Sequence, residues 1–194
     1  MNSSSAPANA DLGLAARFVD GPYVSASNSA EQRLNDWLSE LEPAQSAAID
    51  ELIDGPFARR ILLGIAGFSP YLFDLVRLDA ARLIRLLACD PESHLASLIE
   101  TTSNEVFAAA GETDVMHLLR RMKAEAALLI ALCDIGGVWP VMRVTAALTD
   151  LAVASVQTAL RFLLRQEAAR GRIKPADPDQ IGRASCRERV LEVV

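Results

Sequence analysis

Two histidines, three cysteines and a few clustered carboxylates are the conventional chemical groups of this 194-residue chain. His94 and His117 each stand without a second histidine or a Cys/Asp/Glu set at ligand spacing. That spacing suggests neither a zinc site nor a helical metal-phosphohydrolase centre, which needs His-Asp pairs. His94 falls beside Glu92 in the first turn of a helix and is expected to be solvated. His117 borders an apolar stripe and reads as a packed or surface side chain. Asp50, Glu51 and Asp54 read as a solvated helix face. Serine nucleophiles need a strained turn such as G-x-S-x-G, which is absent. The phosphate-cradling patterns G-x-x-x-x-G-K and G-x-G-x-x-G are absent as well. Gly64 and Gly67 of "GIAG" sit inside an apolar run, where close helix packing is the expected role. Cys89, Cys133 and Cys186 are odd in number and widely spaced, with no Cys-x-x-Cys. They imply no disulfide framework, and the first two read as buried thiols. No catalytic, cofactor-binding or metal-ligating residue is expected.

The most distinctive polar face lies in "LLRRMKAEAALLIALCDIGGVWP", residues 118–140, which carries Arg120, Arg121, Lys123, Glu125 and Asp134. An i,i+4 pair from Arg121 to Glu125 would make it a solvated face. The other reading is a face that docks on a further domain or a partner. Asp134 stands near a helix C-terminus, where a carboxylate opposes the helix dipole. An ion pair with Arg143, just past the break, would compensate it.

Helices must position these groups. The chain is 51% hydrophobic but only 5% aromatic. Ala and Leu, both strong helix formers, carry most of the apolar count, while strand formers are sparse. The fold class expected is all-α, a multi-helix bundle ending in a long helical hairpin. A short helix is predicted over residues 10–19, then one with Ser29 as N-cap and Gln32 completing a capping box. It runs through Leu34, Trp37, Leu38 and Leu41, and Pro43 restarts it over residues 44–53. Residues 57–68 form a buried helix. Ser69 caps the next, with Pro70 at its first position. Asp90-Pro91-Glu92 repeats that signal for a helix reaching about Ala110, stopped by Gly111.

Two long helices follow. Across residues 113–135 the apolar positions Val115, Leu118, Leu119, Met122, Ala126, Leu129, Ile130 and Cys133 make one stripe. Gly136-Gly137 ends it. The last helix runs from Pro140 to about Arg170, and Gly171 stops it. These two are predicted to pack as an antiparallel hairpin. Leu119, Met122, Ala126 and Ile130 would meet Val144, Leu148, Leu151 and the Leu163 side, with Trp139 covering the tip. In domain terms, residues 1–28 are a flexible N-terminal segment, 29–172 the helical region and 173–180 a Pro/Asp-rich linker.

Net charge is −6. The last fourteen residues contribute +1, from Arg183, Arg187 and Arg189 against Glu188 and Glu192, so the body stands at −7. An acidic body argues against sequence-independent nucleic-acid binding. The N-terminus lacks a secretory pattern, and the longest apolar run, residues 61–68, is too short to span a bilayer. The expectation is a soluble, cytoplasmic protein with neither nucleic acid nor membrane as partner.

From Ser69 to Arg172 the chain resembles the N-terminal part of bacterial glutamine synthetase adenylyltransferase. The matching pieces are "SPYLFDLVRLD", "DPESHLASL", "LLRRMKAEAALLIALCDIGGVWPVMRVTAALTDLA" and "ALRFLLRQEAARG". The resemblance implies two nucleotidyltransferase modules in tandem. The N-terminal one would remove AMP from a tyrosine of glutamine synthetase by phosphorolysis, and the C-terminal one would add AMP from ATP. It also implies control by glutamine and the nitrogen-signalling PII protein, with Mg²⁺ and ATP as the parent enzyme's cofactors. Family modules carry a G-S/N-S-D-x-D type motif whose aspartates hold Mg²⁺. Here "KPADPDQ" is present and the motif is not. The expectation is therefore a non-catalytic N-terminal fragment that precedes, and lacks, the α/β nucleotidyltransferase module. A stand-alone helical interaction module is the competing reading. The coding sequence beyond Gln180 separates the two: a G-S-D-x-D type motif for the first, a stop for the second.

"IGRASCRERV", residues 181–190, matches nothing upstream. The codons ATC GGA AGA GCG TCG TGT AGG GAA AGA GTG translate to it, and that string resembles a widely used sequencing adapter. The preceding bases AG fit a CAG codon for Gln180. Residues 181–194 are read as adapter translation rather than native sequence, so Cys186 and its neighbouring arginines carry no functional weight.

Overall fold

The structure, a computed structural model, describes residues 12–23 and 28–172. Among these the chain forms nine helices and no strand: α1 (Leu14–Arg17), α2 (Asn28–Glu40), α3 (Pro43–Leu52), α4 (Ala58–Phe68), α5 (Pro70–Leu78), α6 (Ala80–Ala88), α7 (Pro91–Ala108), α8 (Glu112–Ile135) and α9 (Val141–Ala169). The linker and tail expected at residues 173–194 lie outside the described residues. The helices belong to two compact units, one of residues up to 96 with 124–147, the other of residues 97–123 with those from 148 onward.

In the first unit, short polar side chains set the helix starts. Ser69 Oγ accepts the Leu72 N–H at 3.4 Å, Asp79 Oδ1 that of Arg82 at 2.8 Å, and Asp90 Oδ1 that of Ser93 at 2.8 Å. Each satisfies a donor that the helix leaves orphaned. Pro43 and Pro70 occupy first positions, where a missing N–H costs nothing. At Ser69 the chain bends by 116° between α4 and α5. Helix α2 packs on α4, α3 on α6, and α1 on α6. Leu34, Ile49, Ile61, Ile65, Leu83 and Leu86 are fully buried there, and the Trp37 ring meets Phe73 edge-on at 6.4 Å. Close packing does explain "GIAG": a Cβ at Gly64 would collide with Pro22, and one at Gly67 would touch Ala30.

The second unit is held by smaller polar contacts on an apolar base of Val106, Val115, Met122 and Leu151. Ser103 Oγ and Thr158 Oγ1 lie 3.2 Å apart. The Arg165 guanidinium lies 3.9 Å from the Phe107 ring centroid and donates to the Phe107 carbonyl at 2.8 Å.

A tight turn joins α8 to α9. Gly137 takes φ +65°, and the Val138 N–H reaches back to the Cys133 carbonyl at 2.9 Å. That pairing closes α8 through a residue other than glycine only with strain. Met122 and Ile130 are 1% and 3% exposed, as the stripe requires, and Trp139 is buried at the tip.

Four expectations need correction. First, residues 12–23 are not a flexible segment: Leu14 and Phe18 are buried, and the Leu14 N–H bonds the Cys89 carbonyl at 2.8 Å. The helix there is one turn rather than residues 10–19. Second, α2 already includes Asn28, so Ser29 lies inside the helix and is not its N-cap. Third, Asp79 breaks the run after "SPYLFDLVRL" by capping α6, a start the sequence reading passed over. Fourth, the buried stripe of α9 runs through Val144, Ala147, Leu151 and Thr158, while Leu148 and Leu163 are 50% and 46% exposed. Val144 and Leu151 of the predicted stripe are buried, while Ala147 takes the place expected of Leu148. Among the described residues one helix, α9, is by length and composition apolar enough to cross a membrane.

Truncating Ile130 should expose how much the hairpin core holds. Ile130→Ala is expected to cost about 2–5 kcal/mol, whereas Leu148→Ala should stay near about 0.5 kcal/mol. Urea denaturation of the two variants measures both.

Candidate functional site

Two ion-pair clusters in the first unit join helices far apart in sequence, one partly buried and one built on the buried Glu125. At one, Arg17 from α1 grips Glu92 with both terminal nitrogens, at 2.8 and 3.0 Å, and Asp90 at 2.9 Å. The Trp139 indole N–H donates to the same Glu92 at 2.6 Å. The planar guanidinium matches two carboxylate oxygens at once, which fixes geometry as well as energy. Three stretches far apart in sequence meet here: α1, the start of α7 and the α8–α9 turn. The backbone supports the same junction. The Val19 and Asp20 N–H groups both donate to the Gly136 carbonyl, at 2.9 and 3.3 Å, and a Cβ at Gly136 would strike the Phe18 ring. Arg143 lies over the Trp139 ring at 4.5 Å.

At the other place, Glu125 is buried in α8. It takes Arg85 at 3.1 Å and His94 Nε2 at 2.8 Å, so three helices share one carboxylate. Removing either donor from a carboxylate so enclosed leaves charge without compensation.

These contacts revise the sequence-based pairing. Glu125 turns inward and does not pair with Arg121, which instead meets Glu105 at 3.4 Å in the second unit. His94 is not solvated, because the buried Glu125 draws its ring inward. Asp134 and Arg143 form no ion pair: Asp134 is exposed, and Arg143 is spent on Trp139. His117, Asp50, Glu51 and Asp54 are exposed, as expected. Arg17 was not singled out from the sequence, Glu92 entered only as part of a helix start, and Trp139 only as the cover of the hairpin tip. Their partners lie 47 to 75 residues apart, and helical spacing is blind to such distances.

The protonation chemistry is that of a structural lock. A backbone N–H from Ser93 holds the Asp90 carboxyl below its usual range against partial burial, with Arg17 helping. Burial pushes Glu92 up, but the bonds from Arg17 and Trp139 outweigh it and leave that carboxyl low. Both cysteines are silent: burial pushes Cys89 up to about 11, with Asp90 adding to it, and raises Cys133 further. A shallow groove of about 390 Å³ between α2 and α5 has a mixed rim of Arg33, Asp36, Glu40, Asp74 and Arg77. The Trp37 indole N–H beneath it is buried and unpaired. Among the described residues no three His, Cys, Asp or Glu side chains gather where a metal could bind.

Such features define a class, an all-helical scaffold whose ion pairs join one helix to another. The family model for glutamate-ammonia ligase adenylyltransferase matches residues 60–184, well over half the chain, and the chain belongs to that family. A bifunctional glutamine synthetase adenylyltransferase/adenylyl-removing enzyme of Bradyrhizobium sp. (strain ORS 278) is 67% identical over 180 residues, 92% of this chain and 18% of the relative. The protein of the same description from Bradyrhizobium diazoefficiens is 65% identical over 178 residues, again 18% of its length. That from Xanthobacter autotrophicus is 46% identical over 165 residues, 17% of its length. The chain thus spans less than a fifth of the relatives it matches. No solved structure matches it.

The lock has a pH signature. A carboxyl held low in the folded state stabilises the fold above its unfolded pKa, and that contribution fades as pH falls through the folded value. The stability difference between the native chain and Glu92→Gln is therefore expected to be largest above about pH 5 and to shrink toward about pH 3. Urea midpoints across that range read it. A difference independent of pH would show that Glu92 is not held as an ion pair.

Proposed function

We propose that residues 29–172 are the helical lead-in to the first nucleotidyltransferase module of a bifunctional enzyme that adenylylates and deadenylylates a tyrosine of glutamine synthetase. The observation that carries this reading is the 67% identity, over nearly the whole chain, to a relative named for both activities. In this reading the chain is non-catalytic. Its part is to hold the turn between α8 and α9 through Arg17, Glu92 and Trp139, with the buried Glu125 joining α6, α7 and α8. Glutamine synthetase and the PII protein are the partners of the whole enzyme, acting in the cytoplasm. Mg²⁺ and ATP belong to the catalytic modules. The described residues do not fit Mg²⁺ coordination. Residues 181–194 are, in the same reading, foreign to the protein. The family match ends at residue 184, inside that stretch.

Two measurements test these statements. The chain, incubated with adenylylated glutamine synthetase, Mg²⁺ and phosphate, should release no ADP above a protein-free blank, while the full-length Bradyrhizobium sp. (strain ORS 278) relative should. ADP from the chain alone would overturn its non-catalytic role. Deleting residues 181–194 should leave the thermal midpoint unchanged to within about 1 °C. A clear drop would show that the tail makes native contacts.

A further inference from the structure

Helix α9 carries its polarity the wrong way round. Val156, 67% exposed, lies at the centre of its solvent-facing side. At 100° per residue, Leu148, Val153, Leu160 and Leu163 fall on that same side, and all four are exposed. Thr145, Thr149 and Ala152 fill the gaps. From residue 144 to residue 164 this face holds no charged residue. Asp150 and Arg161 both lie on the flank, next to the buried stripe of Ala147, Leu151 and Thr158. A surface helix ordinarily puts its charges opposite its core stripe. Here that side is apolar, in the three-and-four spacing by which one helix accepts side chains from another element. An uncharged face of this length is a docking surface.

We infer that this face of α9 is covered, in the longer protein, by the part of the same polypeptide that follows this region. The inference rests on the reading given under Proposed function and adds to it the surface used. The relatives extend the matched region more than fivefold, and α9 is the last described helix. Whatever follows is tethered to it through the Pro/Asp-rich stretch at residues 173–180. A short tether gives a neighbouring module a high effective concentration over this face, above that of a second copy or a separate protein. A bilayer fits less well, because the opposite side of α9 is committed to the buried stripe and the flank carries Asp150 with Arg161.

Thiol labelling of Val156→Cys tests this, against the native chain as background. In the 194-residue chain a maleimide should label Cys at position 156 as fast as a small-molecule thiol. In the full-length Bradyrhizobium sp. (strain ORS 278) relative, cysteine at the aligned position should label about 100-fold more slowly until the protein is denatured. Fast labelling in the active full-length relative would overturn the docking surface while leaving the adenylyl-transfer reading intact. Slow labelling that becomes fast on dilution to monomer would assign the face to a second copy and overturn the inference. So would labelling that slows only when phosphatidylcholine–phosphatidylglycerol vesicles are added. Slow labelling in the monomeric chain itself would overturn it as well, since the face would then be covered already.

Discussion

The bidentate grip of Arg17 on Glu92 is the constraint on which the first unit depends. Arg17 sits in a single turn of helix, too short to hold itself together. Its partner stands at the start of α7, and the Trp139 indole reaches Glu92 from the α8–α9 turn. Without that carboxylate, three segments that share no sequence proximity lose their common anchor. The α1 segment is held beside it by the Leu14 N–H on the Cys89 carbonyl and by the Val19 and Asp20 N–H groups on the Gly136 carbonyl. Glu125 does the equivalent for α6, α7 and α8 through Arg85 and His94. Buried ion pairs contribute little net stability because desolvation offsets attraction, but breaking one is costly, so they act as selectors of a single arrangement.

Local rules explain which parts of this fold could be read in advance. Ser69, Asp90, Pro43, Pro70 and Gly137 each act within a turn of themselves, and each does what its chemistry dictates. The α8 stripe is also local, since spacing alone decides which side chains share a face. Spacing does not say what covers that face, nor which of two neighbouring stripes wins when both are apolar. Leu148 and Ala147 are the case in point. Leucine is the larger hydrophobe and the natural choice for the core, yet the smaller alanine is buried, because α9 has apolar residues almost all round and small residues permit close approach. Electrostatic partners were the least legible. Arg121 has a carboxylate four residues on, and Arg143 one nine residues back, but the former was taken by Arg85 and His94 and the latter was outcompeted by the face of Trp139.

Family membership and fold support each other without being the same statement. The match begins at residue 60, inside α4, whereas the first described helix begins at Leu14. Residues before the matched stretch therefore supply essential parts of the junction, Arg17 and Phe18 among them. A boundary drawn from sequence similarity to the family model alone would cut through that junction.

The two interior sulfurs give the molecule an unexpected indifference to its surroundings. With its thiol titrating near 11, Cys89 is a thiolate in about one molecule in ten thousand at neutral pH. Cys133 is fully enclosed and ionises still less. Thiolate is the form that peroxide, disulfides and heavy metals attack. These two thiols therefore present little of the nucleophile that oxidants attack while the helices stay folded.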